Sequence, residues 1–463
     1  MSKVPGKGKR RSRRKPKQGL RVIQPNVAGI DLGSREHYVC CPPMPDGEPN
    51  VQHFGTTTPE LNRLVDWLKE QGVESVAMES TGVYWIPIYE ILESRSFDVL
   101  LVNARAISSV PGRKTDMLDC QWIQMLHSCG LLKGSFRPSD DICALRSLVR
   151  EKTTMESQRS DWLRRIQKSL DQMNVCVHHA VSDISGVTGM AIIRAIVDGE
   201  RDPIKLAKLR DNRCRKSEKQ IAEELTGNWR TEHLFSLKQA LRMYDHICAG
   251  IAQYDAEIQR TLTALQPPEN RTLKAPEVTN KNKRKNFRAR GQEPMREALF
   301  RLTGRDLTAI DGIGVDTAET VLSEVGTDLS CFPSENHFVS YLKLAPKLAI
   351  SGGKPVPTKR SGSTTTRLGS TFRMAALTLR NSKTALGAEY RRIARRKGAS
   401  VAVFALARKL AILVYRLLRY GQAYVDEGMQ AYEERFKAAR IRTCKQIAKE
   451  FGLTILEPEE VAA

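Results

Sequence analysis

The chain has 463 residues, 41% hydrophobic and 27% charged, which excludes a wholly disordered protein and leaves room for two or three domains with real cores. Lys plus Arg outnumber Asp plus Glu by 74 to 52, a formal charge of +22. The expected partner is therefore a polyanion, nucleic acid being the usual one, unless the excess only solvates the surface. Ten cysteines without a CxxC pair or a zinc-spaced Cys/His set point to reduced thiols in an intracellular protein.

Residues 1–25 carry KGKRRSRRKPK, which is too polar to fold alone and leads into no apolar signal core. They are expected to be a disordered basic arm, free in solvent or ordered on a phosphate backbone. Over 26–140 strands and helices alternate. NVAGIDLG reads as a strand with REHYVCCPP as its antiparallel partner. TPELNRLVDWLKEQG has helical spacing with Pro near its start and Gly after its end. ESVAMES, YWIPIYEILESR and FDVLLVN read as strand, helix and strand of one α/β sheet.

Residues 141–265 are expected to be a helical, coiled-coil-like arm for dimerisation, built on two long amphipathic stretches around an irregular piece, ISGVTGMAIIRAIVDGERDP. An ordinary helical spacer would show the same pattern. Residues 266–295, with the acid-free run KNKRKNFRAR, read as a basic linker. The span 296–440 is expected to be mostly helical, and 441–463 a carboxy-terminal tail. Within it, LTAIDGIGVDTAETVLSEVG predicts a helix-hairpin-helix-like element whose Gly312 and Gly314 leave amides able to meet a phosphate, or a tight helix connection with no ligand. KLAPKLAISGGKPVPTKRSGSTTTRLGS predicts a Gly/Ser/Lys-rich loop region. Val401–Tyr415, the most apolar stretch, contains Arg408 and Lys409, so it reads as a packed helix and no membrane partner is expected.

Four acids carry the strongest chemical signal: Asp31 and Glu79 closing apolar strands, then Asp116 and Asp119 in GRKTDMLDC. Three residues apart, the last two would project from one face if helical. Ligand sites in open α/β sheets gather at the carboxyl ends of strands. Clustered carboxylates with hard oxygens suit Mg²⁺, or Mn²⁺ in its place, and in so basic a chain the substrate for two such ions is a phosphodiester. Each acid alone would equally serve as a cap. Thr81, Gly82 and Tyr84 are expected to shape the loop after Glu79 and pack there. Ser351 in AISGGK is exposed enough for a nucleophile, but spacing alone favours a plain loop, with no histidine nearby as base. Lys354, Lys359, Arg360 and Arg367 lie close in sequence and could stabilise phosphate charge.

VAGIDLGS, MESTGVYW and VNARAISSVPGRKTDMLD resemble the amino-terminal domain of insertion-sequence 110 group transposases. The segments LTAIDGIGVDTAETVLSEVG, FVSYLKLAPKLAISGGK and RLGSTFRMAALTLR are similar to the carboxy-terminal transposase domain of that group. The resemblance implies a RuvC-like (RNase H-like) domain in which Asp31, Glu79, Asp116 and Asp119 hold Mg²⁺. It also implies a catalytic Ser351 that forms a covalent phosphoserine link to DNA during site-specific recombination. Family members act on double-stranded donor and target DNA, are guided by a structured bridge RNA and assemble as dimers joining into a tetramer. A prokaryotic cytoplasm, in association with the nucleoid, is the implied setting. Further serines at 361, 363 and 370 make Ser361 the alternative nucleophile. Two rivals stay open: a RuvC-type hydrolytic nuclease, such as a junction resolvase, in which the serine is structural, and a non-catalytic nucleic-acid-binding protein.

Overall fold

The computed structural model describes residues 21–80, 82–104, 107, 118–278, 280–346, 366–423 and 428–453, with the backbone alone at 349–351 and 354–356. The basic arm, apart from residues 21–25, lies outside them. The chain divides into two compact units at 137/138.

The first unit is a five-stranded mixed sheet. β1 (Val27–Leu32), β2 (Glu36–Cys40) and β3 (Val51–Gly55) form an antiparallel meander, and β4 (Ser75–Glu79) and β5 (Asp98–Val102) add parallel to β1, giving the order β3-β2-β1-β4-β5. β3 was not foreseen, because VQHFG has a single buried residue, Phe54, and so little apolar alternation. α1 (Thr58–Glu70) and α2 (Trp85–Ser94) cover one face, where Ile30, Val39, Leu64, Leu68, Met78, Ile88 and Leu92 make the core. Each such aliphatic side chain contributes about 1.5–3 kcal/mol of burial. α3 (Asp119–Ser128) covers the other face through Trp122, Ile123 and Leu126, packed with Ala77 and Val102. This mixed α/β architecture, followed by a mostly helical remainder, is consistent with a RuvC-like domain.

The second unit begins with α4 (Asp140–Gln172) and returns along α9 (Thr231–Ala264). With 33 and 34 residues, each is roughly 50 Å long at 1.5 Å per residue. They run antiparallel, since Lys152 meets Asp255 and Met155 packs where Gly250 leaves room. Four helices stand between them: α5 (Val177–Ala180), α6 (Val187–Val197), α7 (Pro203–Ala207) and α8 (Glu218–Glu224); the piece expected to be irregular, 184–203, holds α6 and the first residue of α7. They fold around a core of their own that includes Leu170, Val177, Ile192, Ile196, Leu206, Ile221 and Leu237.

The expected linker is also structured. Its basic run forms α10 (Lys281–Ala289), with Phe287 buried, and α11 (Glu293–Thr303) follows. Beyond come α12 (Val315–Val325), α13 (Glu335–Tyr341), the β6–β7 hairpin (Ala349–Ser351 and Lys354–Val356), α14 (Arg367–Thr378), α15 (Ala385–Lys397) and α16 (Ala399–Tyr420). Tyr415, Phe338 and Phe372 are buried here, and the Tyr415 hydroxyl donates to the Phe332 carbonyl at 2.7 Å. α17 (Met429–Glu450) runs through the point where a tail was expected to begin. Among the described residues no helix is long and apolar enough to cross a membrane.

Candidate active site

The sheet decides where the acids go. Gly29 lies against α3 so closely that a Cβ there would collide with the backbone of Cys120 and Gln124. Side chains alternate along a strand, so Asp31, two residues on, points to the same face. On β4 the partner of Gly29 is Ala77, which packs under α3, and two residues further Glu79 stands beside Val102, also under α3. Continuing the β1–β4 register beyond Ile30 and Met78 sets Asp31 next to Glu79. Both are partly buried.

Asp119 opens α3 and is exposed, at the helix end whose dipole favours a negative charge. Cys120 beside it reports the local field: burial, then the negative charges of Asp31 and Asp119, push its thiol up to about 11. α3 itself is pinned to the sheet by Gln124, which donates to the Val27 carbonyl at 3.3 Å, and by His127, 2.9 Å from the Ser75 hydroxyl. Burial lowers the His127 pKa, with Asp98 opposing.

Asp31, Glu79 and Asp119 thus share one face and one end of the sheet, although their oxygens do not all draw within 4.8 Å of one another. Hard oxygen donors converging from two strand ends and a helix start are a donor set that fits divalent magnesium or manganese. Asp116, Arg113 and Lys114 lie outside the described residues. The one-helix-face reading of Asp116 and Asp119 therefore falls partly outside the described residues; of the pair, Asp119 is described, as the first residue of α3 after an extended Leu118. Thr81 lies outside the described residues, and Gly82 takes a left-handed φ of 61°. Tyr84 does not pack as expected; it is exposed, as are Val83, Ile86 and Leu118.

Ser351 ends β6 opposite Lys354, the first residue of β7. The expected loop therefore contains a hairpin. Arg360 and Ser361 lie outside the described residues. Arg367 is the first residue of α14, and its guanidinium is committed to protein: it donates to the Thr153 hydroxyl at 2.7 Å and stands 3.4 Å from Glu324. Burial lowers its pKa, opposed by Glu324.

At the Ile-Asp-Gly-Ile-Gly turn, Gly312 has φ 84° and Gly314 caps α12 with open space around it. The segment before the turn is a single 3-10 turn, Leu307–Ala309, and not a full helix. Lys283, from the run expected to be a linker, is half-buried beneath it and donates to the carbonyls of Thr308 and Ile310. Its burial lowers its pKa. Asp311 and Asp316 flank the glycines, a local charge that opposes a phosphate there.

Two family models match the chain. One, DEDD_Tnp_IS110, described as a transposase, covers residues 28–175, and the other, Transposase IS116/IS110/IS902 family, covers 304–391. The chain belongs to the IS110 group of transposases. Membership makes it an enzyme that acts on DNA, and DEDD domains of this kind are typically dependent on divalent metal. No curated protein matches the chain.

A basic groove in this transposase was missed from the sequence. α15 ends in Arg391, Arg392, Arg395 and Arg396, and α17 packs beside it, leaving an open cavity of about 850 Å³ that Arg440 also lines. Arg392 stacks 4.4 Å above the Phe436 ring and donates to the Tyr432 hydroxyl at 3.0 Å. Guanidinia held on aromatic rings suit a phosphate backbone with unstacked bases. The signal was RRIARRK, which equally fits cations completing the last turn of a helix.

Proposed function

We propose that this transposase is a site-specific DNA recombinase that cuts and rejoins double-stranded donor and target DNA through a covalent phosphoserine intermediate. Asp31, Glu79, Asp116 and Asp119 hold divalent cations, Mg²⁺ or Mn²⁺, and Ser351 is the nucleophile. The observation that carries this reading is the convergence of Asp31, Glu79 and Asp119 on one end of the sheet under α3.

When bound, the cations supply charge stabilisation at the scissile phosphate and its departing oxygen. The chain's own residues do the rest. The sheet fixes the spacing of Asp31 and Glu79, while the start of α3 presents Asp119. The Ser351 oxygen forms a bond to phosphorus as one strand oxygen leaves and takes up a proton. A strand hydroxyl later attacks the phosphoserine and returns the serine. One phosphate ester is exchanged for another at each step, so no high-energy cofactor is consumed.

Lys354 and Arg360 are proposed contacts to the scissile phosphate. The groove between α15 and α17 is a more favourable nucleic-acid surface than Gly312 and Gly314, given the acids beside that turn. Guidance by a bridge RNA, dimerisation through the α4–α9 arm and assembly into a tetramer complete the proposal, supported by family membership and by the positive charge of the chain.

The test is a denaturing gel of protein mixed with element-derived RNA, Mg²⁺ and labelled donor and target DNA. A slow protein–DNA band that disappears in Ser351→Ala, and persists in Ser361→Ala, supports the proposal. Cleaved DNA without an adduct, indifferent to Ser351→Ala, would instead make the chain a hydrolytic nuclease.

A further inference from the structure

At the end of α4 the chain turns through Asn174, which takes a φ of 56°, and reaches Cys176. The amide of Cys176 donates to the Glu224 carbonyl at 2.8 Å, tying this turn to the last residue of α8. Cys176 stands at the cap of α5 and His179 follows three residues later on the same side. The thiol sulfur, an imidazole nitrogen of His179 and a carboxylate oxygen of Glu224 all lie within 4.8 Å of one another. His179 Nδ1 is 3.5 Å from Glu224 Oε2. Nitrogen and oxygen bound tetrahedrally to zinc would be about 3.3 Å apart, from bond lengths near 2.0–2.1 Å.

We propose that Cys176, His179 and Glu224 form a zinc site in the helical cluster at the end of the arm. Three features favour a metal over a surface ion pair. The donor set is one sulfur, one nitrogen and one oxygen, which suits a borderline ion such as Zn²⁺ and does not suit Mg²⁺. The ligands come from two segments already locked by a backbone hydrogen bond, so little ordering remains for binding to accomplish. The outer oxygen of Glu224, Oε1, accepts from Lys216 Nζ at 3.1 Å, which leaves Oε2 turned to His179 and orients the carboxylate as outer-sphere partners do.

The His178 ring lies against that of His179, centroids 4.1 Å apart and planes tilted by 54°, and is 3.3 Å from Asp171, which steadies the imidazole from behind. His178 and His179 also line an open cavity of about 640 Å³, shared with Cys214 and Lys216. Cys176 and Glu224 are half-buried and His179 is exposed, so the fourth ligand would come from solvent on the His179 side. Bound zinc staples the turn after α4 to α8 and so stiffens the tip of the arm.

Composition concealed the site. A Cys-x2-His pair does occur at 176–179, but its third ligand lies 45 residues beyond His179, too far for a spacing motif.

The test uses the full chain stripped with chelator and reloaded with Co²⁺, whose thiolate complexes show a charge-transfer band in the near ultraviolet. One band-forming Co²⁺ per chain, displaced by Zn²⁺, is expected in the parent protein and in Asp31→Asn. The band should vanish in Cys176→Ser. Zinc affinity should fall at least about tenfold in His179→Gln and Glu224→Gln, and less in Lys216→Met. Because His179 is exposed, His179→Gln is expected to fold. At a fixed Zn²⁺ concentration its thermal midpoint should therefore rise less than that of the parent. A parent protein with no thiolate band, or a band that survives Cys176→Ser, would overturn the proposal.

Discussion

Two sets of carboxylates in this molecule show how surroundings assign a role to the same chemical group. In the first unit, Asp31, Glu79 and Asp119 are gathered at one end of the sheet, partly buried or exposed. In the second, Glu319 and Glu324 are buried on α12 and clasped by cations. Glu324 takes the Nε and a terminal nitrogen of Arg150 at 2.8 and 2.7 Å, with Arg146 and Arg367 each 3.4 Å away. Glu319 accepts from Lys152 at 2.9 Å, and Lys152 also reaches Asp255 at 2.6 Å. The first set keeps partial exposure at the sheet end, while the second joins α4 to α12. An acid at a strand end is thus a candidate for chemistry, and an acid locked under arginines is a joint.

The largest expected effect separates the two sets by activity. Asp31→Asn or Glu79→Gln removes a proposed cation ligand, of a kind that supplies several kcal/mol of charge stabilisation, so strand cleavage should fall by roughly 10³-fold or more, with the urea midpoint nearly unchanged. Rates from single-turnover cleavage and a denaturation curve on the same preparation check this. A Glu79→Gln chain that cleaves normally would erase the distinction.

Next comes stability. Glu324→Ala leaves three guanidinia around an empty position, and breaking a buried pair from one side costs about 3–5 kcal/mol. Equilibrium urea unfolding should show that loss, in contrast to Asp31→Asn.

A pH dependence sharpens the contrast further. Burial, only partly offset by Lys152, pushes the Glu319 carboxyl up to about 7 from an ordinary 4.5. Between those values the folded chain holds more protons than the unfolded one, so this group favours the fold below pH 4.5 and its contribution is lost as pH rises through 7. Glu319→Gln should remove that part of the slope, seen as a flatter thermal midpoint across the window relative to the parent chain.

The smallest effect is on the groove. Arg395→Ala and Arg396→Ala should each weaken nucleic-acid binding modestly and lower the salt slope by about one, as followed by fluorescence anisotropy at several salt concentrations.

The sheet and its acids were legible because strand alternation and strand ends are local patterns. GIDLG and VAMES each announce an apolar run ending in an acid, and the parallel register then brings the runs together. The joint on α12 was not legible, because Glu319 and Glu324 are spaced like the solvated face of a helix and their partners lie far back on α4. Lys283 escapes notice for the same reason: in KNKRKNFRAR a single lysine reaches under a turn to two carbonyls, and composition cannot say which. At AISGGKPV the Gly-Gly between two short runs is a hairpin signal that was read as a free loop. Three of the helices between α4 and α9, with 4, 5 and 7 residues, are too short for periodicity to register.

The central claim is that the sheet-end acids hold the cations that serve strand cleavage. Its most direct test is Mn²⁺ binding by electron paramagnetic resonance with donor DNA present, in the parent chain, Asp31→Asn, Asp119→Asn and Glu319→Gln. Binding should be lost in the two aspartate variants and retained in Glu319→Gln. Binding that is unchanged in Asp31→Asn and Asp119→Asn would contradict it.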